Sequence, residues 1–378
     1  MKQTITTKVQ IYPDKKEAEL LYESMRAYTR ACNYISRYIY LTRDMAYASV
    51  QKRTYHVLRS KYDMPSQMAC NAVRTVVSSY RTLRSNNASW TRCEYRSPQM
   101  TLSWNRDYSL TKGKFSVGTL LGRVKLDYAS AGMEQYFDKD SYRFGAAKIT
   151  YKHGKFFLHI SVISNVEVLE MKDVSNIVGV DRGIRFIATA YSSKGKTDFY
   201  SGADVKQKRA HYKKLRKELQ QVGTPSSRRR LKVIGQRENR WMRDVNHCVS
   251  KALVEENPEG TMFVIEDLKG VRSATERVRV KDRYVSVSWA YYDLEQKLIY
   301  KALKKRQLVV KVPPAYTSQT CPKCGHVEKA NRDKKNHIFS CRNCGYSSND
   351  DRIGAMNLHR MGIELIVPDA VTEEHASL

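Results

Sequence analysis

Residues 176–200 read NIVGVDRGIRFIATAYSSKGKTDFY, and this stretch decides the fold of the second half of the chain. Short apolar runs separated by glycine-containing turns are typical of strands joined as hairpins. Together with two later apolar runs they predict five strands, at residues 177–181, 185–191, 197–200, 262–266 and 308–312. Three strands in hairpin sequence, followed by helices that alternate with strands, indicate an RNase H-like mixed sheet.

Three carboxylates stand at the ends of these elements. Asp181 ends the first strand, Glu266 ends the fourth strand, and Asp351 opens a later helix. The first and fourth strands of an RNase H-like sheet are neighbours, so we expect the three side chains to meet. Three like charges raise one another's pKa unless cations lie between them. Hard oxygen ligands favour Mg²⁺ or Mn²⁺, and we predict two such ions about 4 Å apart that activate water against a phosphodiester.

Two of these acids have acidic neighbours. Asp267 follows Glu266, and because neighbours on a strand point to opposite faces, only one of them can face the site. Asp350 precedes Asp351, and either carboxylate would favour a helix N-terminus. We choose Asp351 because apolar residues then fall on its side of the helix, the side expected to face the sheet.

Four of the eight cysteines are grouped in two pairs: Cys321, Cys324, Cys341 and Cys344. Two CxxC pairs at this separation match the spacing of a zinc ribbon, which binds one structural Zn²⁺ through four thiolates. Two redox-active CxxC pairs are the alternative. His326 and His337 lie close enough in sequence to compete as zinc ligands. Four cysteines, however, already supply all four ligands of a tetrahedral zinc site.

The first half of the chain predicts a different architecture. Alternation over residues 2–12 predicts a strand, and a second helix is predicted after Pro65. The first helix has one apolar face, formed by Leu21, Met25, Tyr28, Cys32, Ile35 and Ile39. Over residues 100–165 the apolar period changes to two, with turns at Gly113 and Gly154. The simplest account is a small β-barrel formed by both segments, with a helical domain inserted between them.

The charge of the chain limits its possible partners. Lys and Arg total 67 against 38 Asp and Glu, a net charge of +29, and residues 206–243 concentrate the basic residues on predicted helices. Such an excess is expected to bind nucleic acid, the alternative being a generally basic surface without a specific partner. No apolar run approaches about 18 residues, and the start MKQTITTKVQ lacks the apolar core of a signal peptide. We therefore expect no membrane span and a cytoplasmic location.

With these residues identified, the chain resembles TnpB, the family of transposon-encoded RNA-guided nucleases related to the compact type V CRISPR effectors. The matching segments are GVDRGIRFIATA, VIEDL, TSQTCPKCG with SCRNCGY, and DRIGAMNL. The family pattern has an acid in each of three RuvC motifs and a zinc ribbon between the second and third. Here the acids fall on Asp181, Glu266 and Asp351. One departure is Gly354, where the family often has another residue, which predicts a slightly looser helix.

The resemblance implies an α+β multidomain protein. Its parts are a β-barrel wedge domain (1–13 and 100–165), a helical recognition domain (14–99), a RuvC-like nuclease domain (176–316 and 349–367), the zinc ribbon (317–348) and a disordered tail (368–378). It implies a guide RNA derived from the transposon end, with one protein per guide RNA. It also implies a double-stranded DNA target beside a short motif, cut in both strands at one two-metal site. The setting would be the nucleoid of a prokaryotic cell.

Two surfaces are candidate nucleic-acid contacts. The first is the polar face of the second predicted helix, whose residue types suit base edges: Gln67, Asn71, Arg74 and Ser78. An ordinary solvated face is the alternative. The second is residues 268–286, a predicted basic lid over the active site, which carries Arg272, Arg277, Arg279, Lys281 and Arg283. A surface loop held only by RNA is the alternative there.

Two other functions are compatible with parts of this pattern. A guide-dependent DNA-binding repressor that does not cut would be favoured by loss of a carboxylate, and none is lost. A transposase acting without RNA would also use three acids on an RNase H-like sheet, but it does not usually place a four-cysteine ribbon before the last one. RNA that copurifies with the protein would separate the transposase from the RNA-guided nuclease.

Overall fold

The computed structural model describes residues 1–183, 185–268 and 291–366. The chain divides into two compact units, Met1–Asn165 and Val166–Leu378. Within the described ranges, no helix combines the length and the apolar composition needed to cross a membrane. The predicted lid from residue 269 onward and the predicted tail 368–378 fall outside these ranges, and so do the lid residues Arg272, Arg277 and Arg279.

A seven-stranded antiparallel sheet is the core of the first unit. Its strands are β1 Lys2–Tyr12, β2 Gln99–Leu102, β3 Tyr108–Leu110, β4 Lys114–Thr119, β5 Gly122–Tyr128, β6 Tyr142–Lys152 and β7 Lys155–Asn165. In the order β2-β6-β7-β1-β5-β4-β3, the first strand lies in the middle, between strands that come much later in the chain. The hydroxyl of Tyr108 on β3 donates a 2.6 Å hydrogen bond to the carbonyl of Gly145 in β6. The sheet is a nearly closed barrel, as expected.

Three helices are inserted between β1 and β2: α1 Lys15–Thr42, α2 Tyr47–Lys61 and α3 Ser66–Ser85. A capping box starts α1, since Asp14 accepts from the N–H of Glu17 and Glu17 accepts from the N–H of Asp14, each at 2.8 Å. All six residues predicted on the apolar face of α1 are buried. The sequence did not predict α2, because only three of its 15 residues are buried and no side chain caps its start.

Five strands form the sheet of the second unit: β8 Asn176–Asp181, β9 Phe186–Ser192, β10 Thr197–Ser201, β11 Thr261–Glu266 and β12 Leu308–Val312. The order is β10-β9-β8-β11-β12. β8 pairs antiparallel with β9 and parallel with β11, which in turn pairs parallel with β12. All five predicted strands are present, and the first and fourth are neighbours, which confirms the predicted strand order.

The described part of the second unit also contains four α-helices, α4 Ala203–Val222, α5 Pro225–Glu255, α6 Tyr291–Lys304 and α7 Asp350–Ile366. A small three-stranded sheet precedes α7: β13 Arg332–Asp333, β14 Ile338–Ser340 and β15 Ser347–Asn349. One face of the five-stranded sheet shares a core with α5 and α6, which includes Phe263 and Leu298. The other face packs against α7 through Ile177, Val264 and Leu358.

Glycines allow α7 to lie very close to this sheet. A Cβ atom added at Gly179 on β8 would lie 2.0 Å from the carbonyl oxygen of Ala355 and 2.4 Å from the nitrogen of His359. A Cβ added at Gly362 on α7 would lie 2.6 Å from Cγ2 of Val264. These distances are shorter than atomic contacts allow, so the helix backbone packs directly on the strand backbone only because side chains are absent.

We expect Gly179→Ala to destabilise the second unit by about 3 kcal/mol or more, because the added methyl group would overlap backbone atoms that cannot rotate away. Thermal denaturation followed by circular dichroism measures the change. Gly235→Ala in α5 is the matched control, since a Cβ there meets no atom within 4 Å. The control should gain up to about 1 kcal/mol from helix propensity. A Gly179→Ala protein that melts like the wild type would contradict the close packing.

Candidate active site and cysteine module

The strand pattern places two of the predicted acids on one face of the sheet. Val178 and Val180 of β8 and Ile265 of β11 belong to the core shared with α5 and α6. Because successive residues on a strand alternate between faces, Asp181 and Glu266 lie on the opposite face, which α7 covers. The two strands are parallel with Val180 opposite Ile265, so the next residues, Asp181 and Glu266, stand side by side.

Asp351, the second residue of α7, completes the group. A Cβ added at Gly354 would lie 3.0 Å from Cγ of Asp181, and one added at Gly183 would lie 3.8 Å from Oδ1 of Asp351. The start of α7 is thus packed against the end of β8, and the structure brings the three predicted carboxylates together. The missing side chain at Gly354 leaves room for Asp181 beside α7, and the expectation that this glycine loosens the helix stays a prediction.

Burial and neighbouring carboxylates raise the pKa of two of the three acids, Asp181 and Asp351. Burial, together with the charges of Glu266 and Asp351, raises the pKa of Asp181 to about 8. Burial and the neighbouring Asp350 raise the pKa of Asp351. A divalent cation among these groups would stabilise their ionised forms. The donor set consists of hard carboxylate oxygens, which fits Mg²⁺ or Mn²⁺.

Tyr291 at the start of α6 lies within electrostatic range of the same acids, and the sequence did not predict it. Burial, the charge of Asp181 and, to a smaller extent, the charges of Glu266 and Asp351 raise the pKa of its hydroxyl to about 12. The phenol therefore keeps its proton at neutral pH and remains a hydrogen-bond donor beside the carboxylates.

Two side chains hold Glu266 in place. The Thr317 hydroxyl donates a 2.5 Å hydrogen bond to Oε1 of Glu266. The buried Arg182 donates to the main-chain carbonyl of Glu266, and its guanidinium pairs with Glu295 on α6 at 3.3 Å. Glu295 also pairs with Lys311 on β12. This network connects the carboxyl ends of β8, β11 and β12 to α6.

The structure gives the two adjacent aspartates different surroundings. Asp350 is buried, and its Oδ2 accepts a 2.9 Å hydrogen bond from Nε of Arg332 on β13. Asp351, and not Asp350, is the aspartate whose charge raises the pKa of Asp181. This geometry is consistent with Asp351 as the third acid of the site. Nη2 of Arg332 also lies 4.0 Å from Oδ1 of Asp351, so the cysteine module contributes a cation to the edge of the site.

The four cysteines converge as their spacing predicts. Sγ of Cys321 lies 3.6 Å from Sγ of Cys344, and Sγ of Cys324 lies 3.6 Å from Sγ of Cys341. All four sulfur atoms lie within 4.8 Å of one another. A tetrahedral site with Zn–S bonds of about 2.3 Å has sulfur atoms about 3.8 Å apart. The cluster therefore fits one structural metal ion such as Zn²⁺, which these four residues would hold.

Hydrogen bonds fasten the cysteine module to α7. Nδ2 of the buried Asn357 donates to the carbonyl of Thr317 at 2.7 Å and to that of Thr320 at 2.8 Å, immediately before Cys321. Neither histidine considered as a competing ligand joins the cysteines. His326 contacts Glu328, and His337 lies beside Asp350.

The predicted polar face of α3 is only partly exposed. Arg74 and Ser78 are exposed, and Gln67 is half-buried. Asn71 is buried, and its Nδ2 donates a 2.5 Å hydrogen bond to Asp107 in the barrel unit. The prediction for Asn71 is therefore corrected, since its amide connects α3 to residues 101–107 and is not available to a base edge.

Cys341→Ser is expected to lower both the zinc content and the melting temperature of the protein, because a structural zinc ion contributes to folding free energy. Elemental analysis of the purified protein and thermal denaturation measure the two effects. Cys248→Ser is the control, since Cys248 is a free, exposed cysteine on α5. Equal zinc content in the two variants would rule out the four-cysteine site.

Two family profiles match this chain. The profile described as OrfB IS605, probable transposase, matches residues 159–274. The profile described as Cas12f1-like, TNB domain, matches residues 291–358, from the start of α6 to α7.

Curated relatives come from bacteria, archaea and a virus. A CRISPR-associated endodeoxyribonuclease Cas12f1 of Sulfoacidibacillus thermotolerans is 28% identical over 61% of this chain and 56% of its own length. The putative RNA-guided DNA endonuclease InsQ of Escherichia coli is 29% identical over 55% of this chain and 54% of its own length. A TnpB-like protein of Methanocaldococcus jannaschii is 26% identical over 68% of this chain and 58% of its own length. The chain thus spans about half the length of the curated relatives it matches.

Two solved structures share the fold. One is a Cas12f1–sgRNA–target DNA complex, with a TM-score of 0.65 and 12% identity over 95% of this chain and 99% of that one. The other is the mini-RNA-guided endonuclease CRISPR-Cas phi3, with a TM-score of 0.61 and 11% identity over 97% of this chain and 93% of that one. In sequence the chain is similar to TnpB-like proteins and Cas12f endodeoxyribonucleases, which confirms the family resemblance read from its sequence, while the solved structures show the shared fold.

Proposed function

We propose that this chain is an RNA-guided DNA endonuclease that cuts both strands of its target at one RuvC-like, two-metal site. The observation that carries the proposal is the convergence of Asp181, Glu266 and Asp351, where the pKa of Asp181 is raised to about 8. A basic chain with a net charge of +29 suits two nucleic-acid partners. Relatives named as RNA-guided or CRISPR-associated endonucleases support the same assignment.

In this proposal Asp181, Glu266 and Asp351 hold two Mg²⁺ or Mn²⁺ ions. Such ions, when bound, activate a water and stabilise the leaving 3′ oxygen. The hydrogen bond from Thr317 fixes one oxygen of Glu266 and leaves the other for a ligand role. Arg332, 4.0 Å from Asp351, offsets part of the negative charge and offers N–H donors to a phosphate drawn into the site.

In this proposal the parts of the chain outside the acidic site bind nucleic acid or support its binding. The segments 1–13 and 100–165 act as the wedge domain, 14–99 as the recognition domain, and 317–348 as a ribbon stabilised by Zn²⁺. Between residues 203 and 243, helices α4 and α5 expose twelve Lys and Arg side chains against two acidic ones. This hairpin suits the phosphate backbone of a guide RNA. On α3, Arg74 and Ser78 remain candidates for reading the short DNA motif beside the target.

The first test is whether the protein binds a specific RNA. We expect the protein, expressed with its native flanking DNA, to copurify with one discrete RNA that runs from the end of the element into the adjoining sequence. Sequencing of the bound RNA measures this. Heterogeneous cellular RNA, or none, would favour a transposase that acts without a guide.

We expect the double variant Asp181→Asn, Glu266→Gln to lose guided DNA cleavage and to retain binding of RNA and DNA. The amides keep the shape of the side chains but remove the charges that hold the ions. Cleavage of a plasmid target with Mg²⁺ and a gel-shift assay with the same guide RNA separate the two properties. Asp267→Asn, one residue beyond the end of β11, is the control and should keep cutting. Target cutting by the double variant would refute the site.

If the wild-type complex binds its target tightly and does not cut, the guide-dependent repressor replaces the nuclease as the function. Wild-type cutting that is lost in the double variant excludes that alternative.

A further inference from the structure

A second cluster of metal-ligating atoms adjoins the proposed nuclease site. One ligand atom each from His337, Asp350 and Asp351 lies within 4.8 Å of the other two. His337 belongs to the cysteine module, between β13 and β14, and the two aspartates begin α7. The sequence predicted no metal ligand at either His337 or Asp350.

The polar atoms of this cluster are buried without hydrogen-bond partners. They are Nδ1 of His337, Oδ1 of Asp350 and Oδ2 of Asp351. The Asp350 side chain is completely buried, and Asp351 is 7% exposed. Buried carboxylate oxygens are costly unless a donor or a cation meets them. Two such oxygens beside an imidazole nitrogen that also lacks a partner indicate that the three atoms share one bound group.

The neighbouring cation does not account for these atoms. Arg332 bonds the other oxygen of Asp350, Oδ2, at 2.9 Å, and approaches the other oxygen of Asp351, Oδ1, only to 4.0 Å. With a neutral imidazole, the two carboxylates and Arg332 carry a formal charge of −1, which a divalent ion would offset. A protonated His337 paired with Asp350, at 3.5 Å, is the competing arrangement, and it leaves Oδ2 of Asp351 without a partner.

We propose that His337, Asp350 and Asp351 form a divalent-cation site that prefers Mn²⁺ to Mg²⁺. An imidazole nitrogen beside two carboxylates is a borderline donor set, whereas Mg²⁺ selects oxygen ligands and keeps its waters. Because Asp351 also belongs to the nuclease site, the inference extends the proposed function. One of the ions at that site is held partly by the cysteine module, and the metal preference of the protein is set by a residue of the ribbon.

The test counts Mn²⁺ ions on the full-length protein in the Asp181→Asn, Glu266→Gln background, which removes the other proposed ligands. Electron paramagnetic resonance of free Mn²⁺ gives the stoichiometry and Kd. We expect one bound Mn²⁺ per chain, with a spin-echo modulation from the imidazole ¹⁴N. Adding His337→Asn should weaken binding at least tenfold and abolish that modulation. Asparagine is the replacement of choice because His337 has a left-handed backbone, φ +57°, which Asn tolerates.

Asp350→Asn tests the same site from α7 and should also weaken Mn²⁺ binding at least tenfold. His326→Asn is the control on the same module and should bind as the background protein does, since His326 contacts Glu328. Zinc content and melting temperature verify that each variant has folded. Equal Mn²⁺ affinity in the background protein and both site variants, or a spectrum without ¹⁴N modulation, would overturn the proposal.

The two proposals fail separately. Wild-type protein that does not cut a guided target, while Mn²⁺ binding still depends on His337, would refute the nuclease and leave the cation site standing. Normal cutting by the wild type, with Mn²⁺ binding that ignores His337 and Asp350, would refute the cation site alone. The ratio of Mn²⁺ to Mg²⁺ affinity should fall in His337→Asn, and an unchanged ratio counts against a ribbon ligand.

Discussion

The contact between the backbone of α7 and the backbone of β8 is the constraint on which the second unit depends. Packed layers normally stand about 10 Å apart because side chains fill the space between them. Gly179, Gly354 and Gly362 remove those side chains along one line of contact. The short separation brings Asp351, at the start of the helix, against Asp181, at the end of the strand. The approach of Asp351 to Asp181 therefore depends on the absence of side chains at these three glycines.

The cysteine module contacts the acidic residues around the site from two directions. Thr317, just before the first cysteine, bonds Glu266, and Arg332, between the two pairs, bonds Asp350. Asn357 holds the entry to the module against α7. A small domain with little core of its own is thus tied to the site by polar contacts at its start and in its middle. Its metal would support the arrangement of the acids without taking part in their chemistry.

The sequence predicted most of what depends on local pattern. Alternation identified the five strands of the second unit, the face of the sheet that carries Glu266, and the barrel-like sheet of the first unit. Apart from α2, whose own pattern is weak, what it missed depends on contacts between distant residues. Thr317 meets Glu266 across 51 positions, and Arg182 meets Glu295 across 113. Burial of Asn71 follows from a partner 36 residues away, which its helical spacing could not reveal.

The three acids are spaced evenly along the chain, with 85 residues from Asp181 to Glu266 and 85 more to Asp351. During translation, β8 and β11 are therefore made well before α7. Until that helix is made, the apolar residues of the sheet that it covers, including Ile177 and Val264, lack their contacts with Leu358. A chain interrupted before α7 therefore lacks both this packing and its third acid. The same helix completes both the packing of this sheet face and the group of three carboxylates, so neither forms without the other.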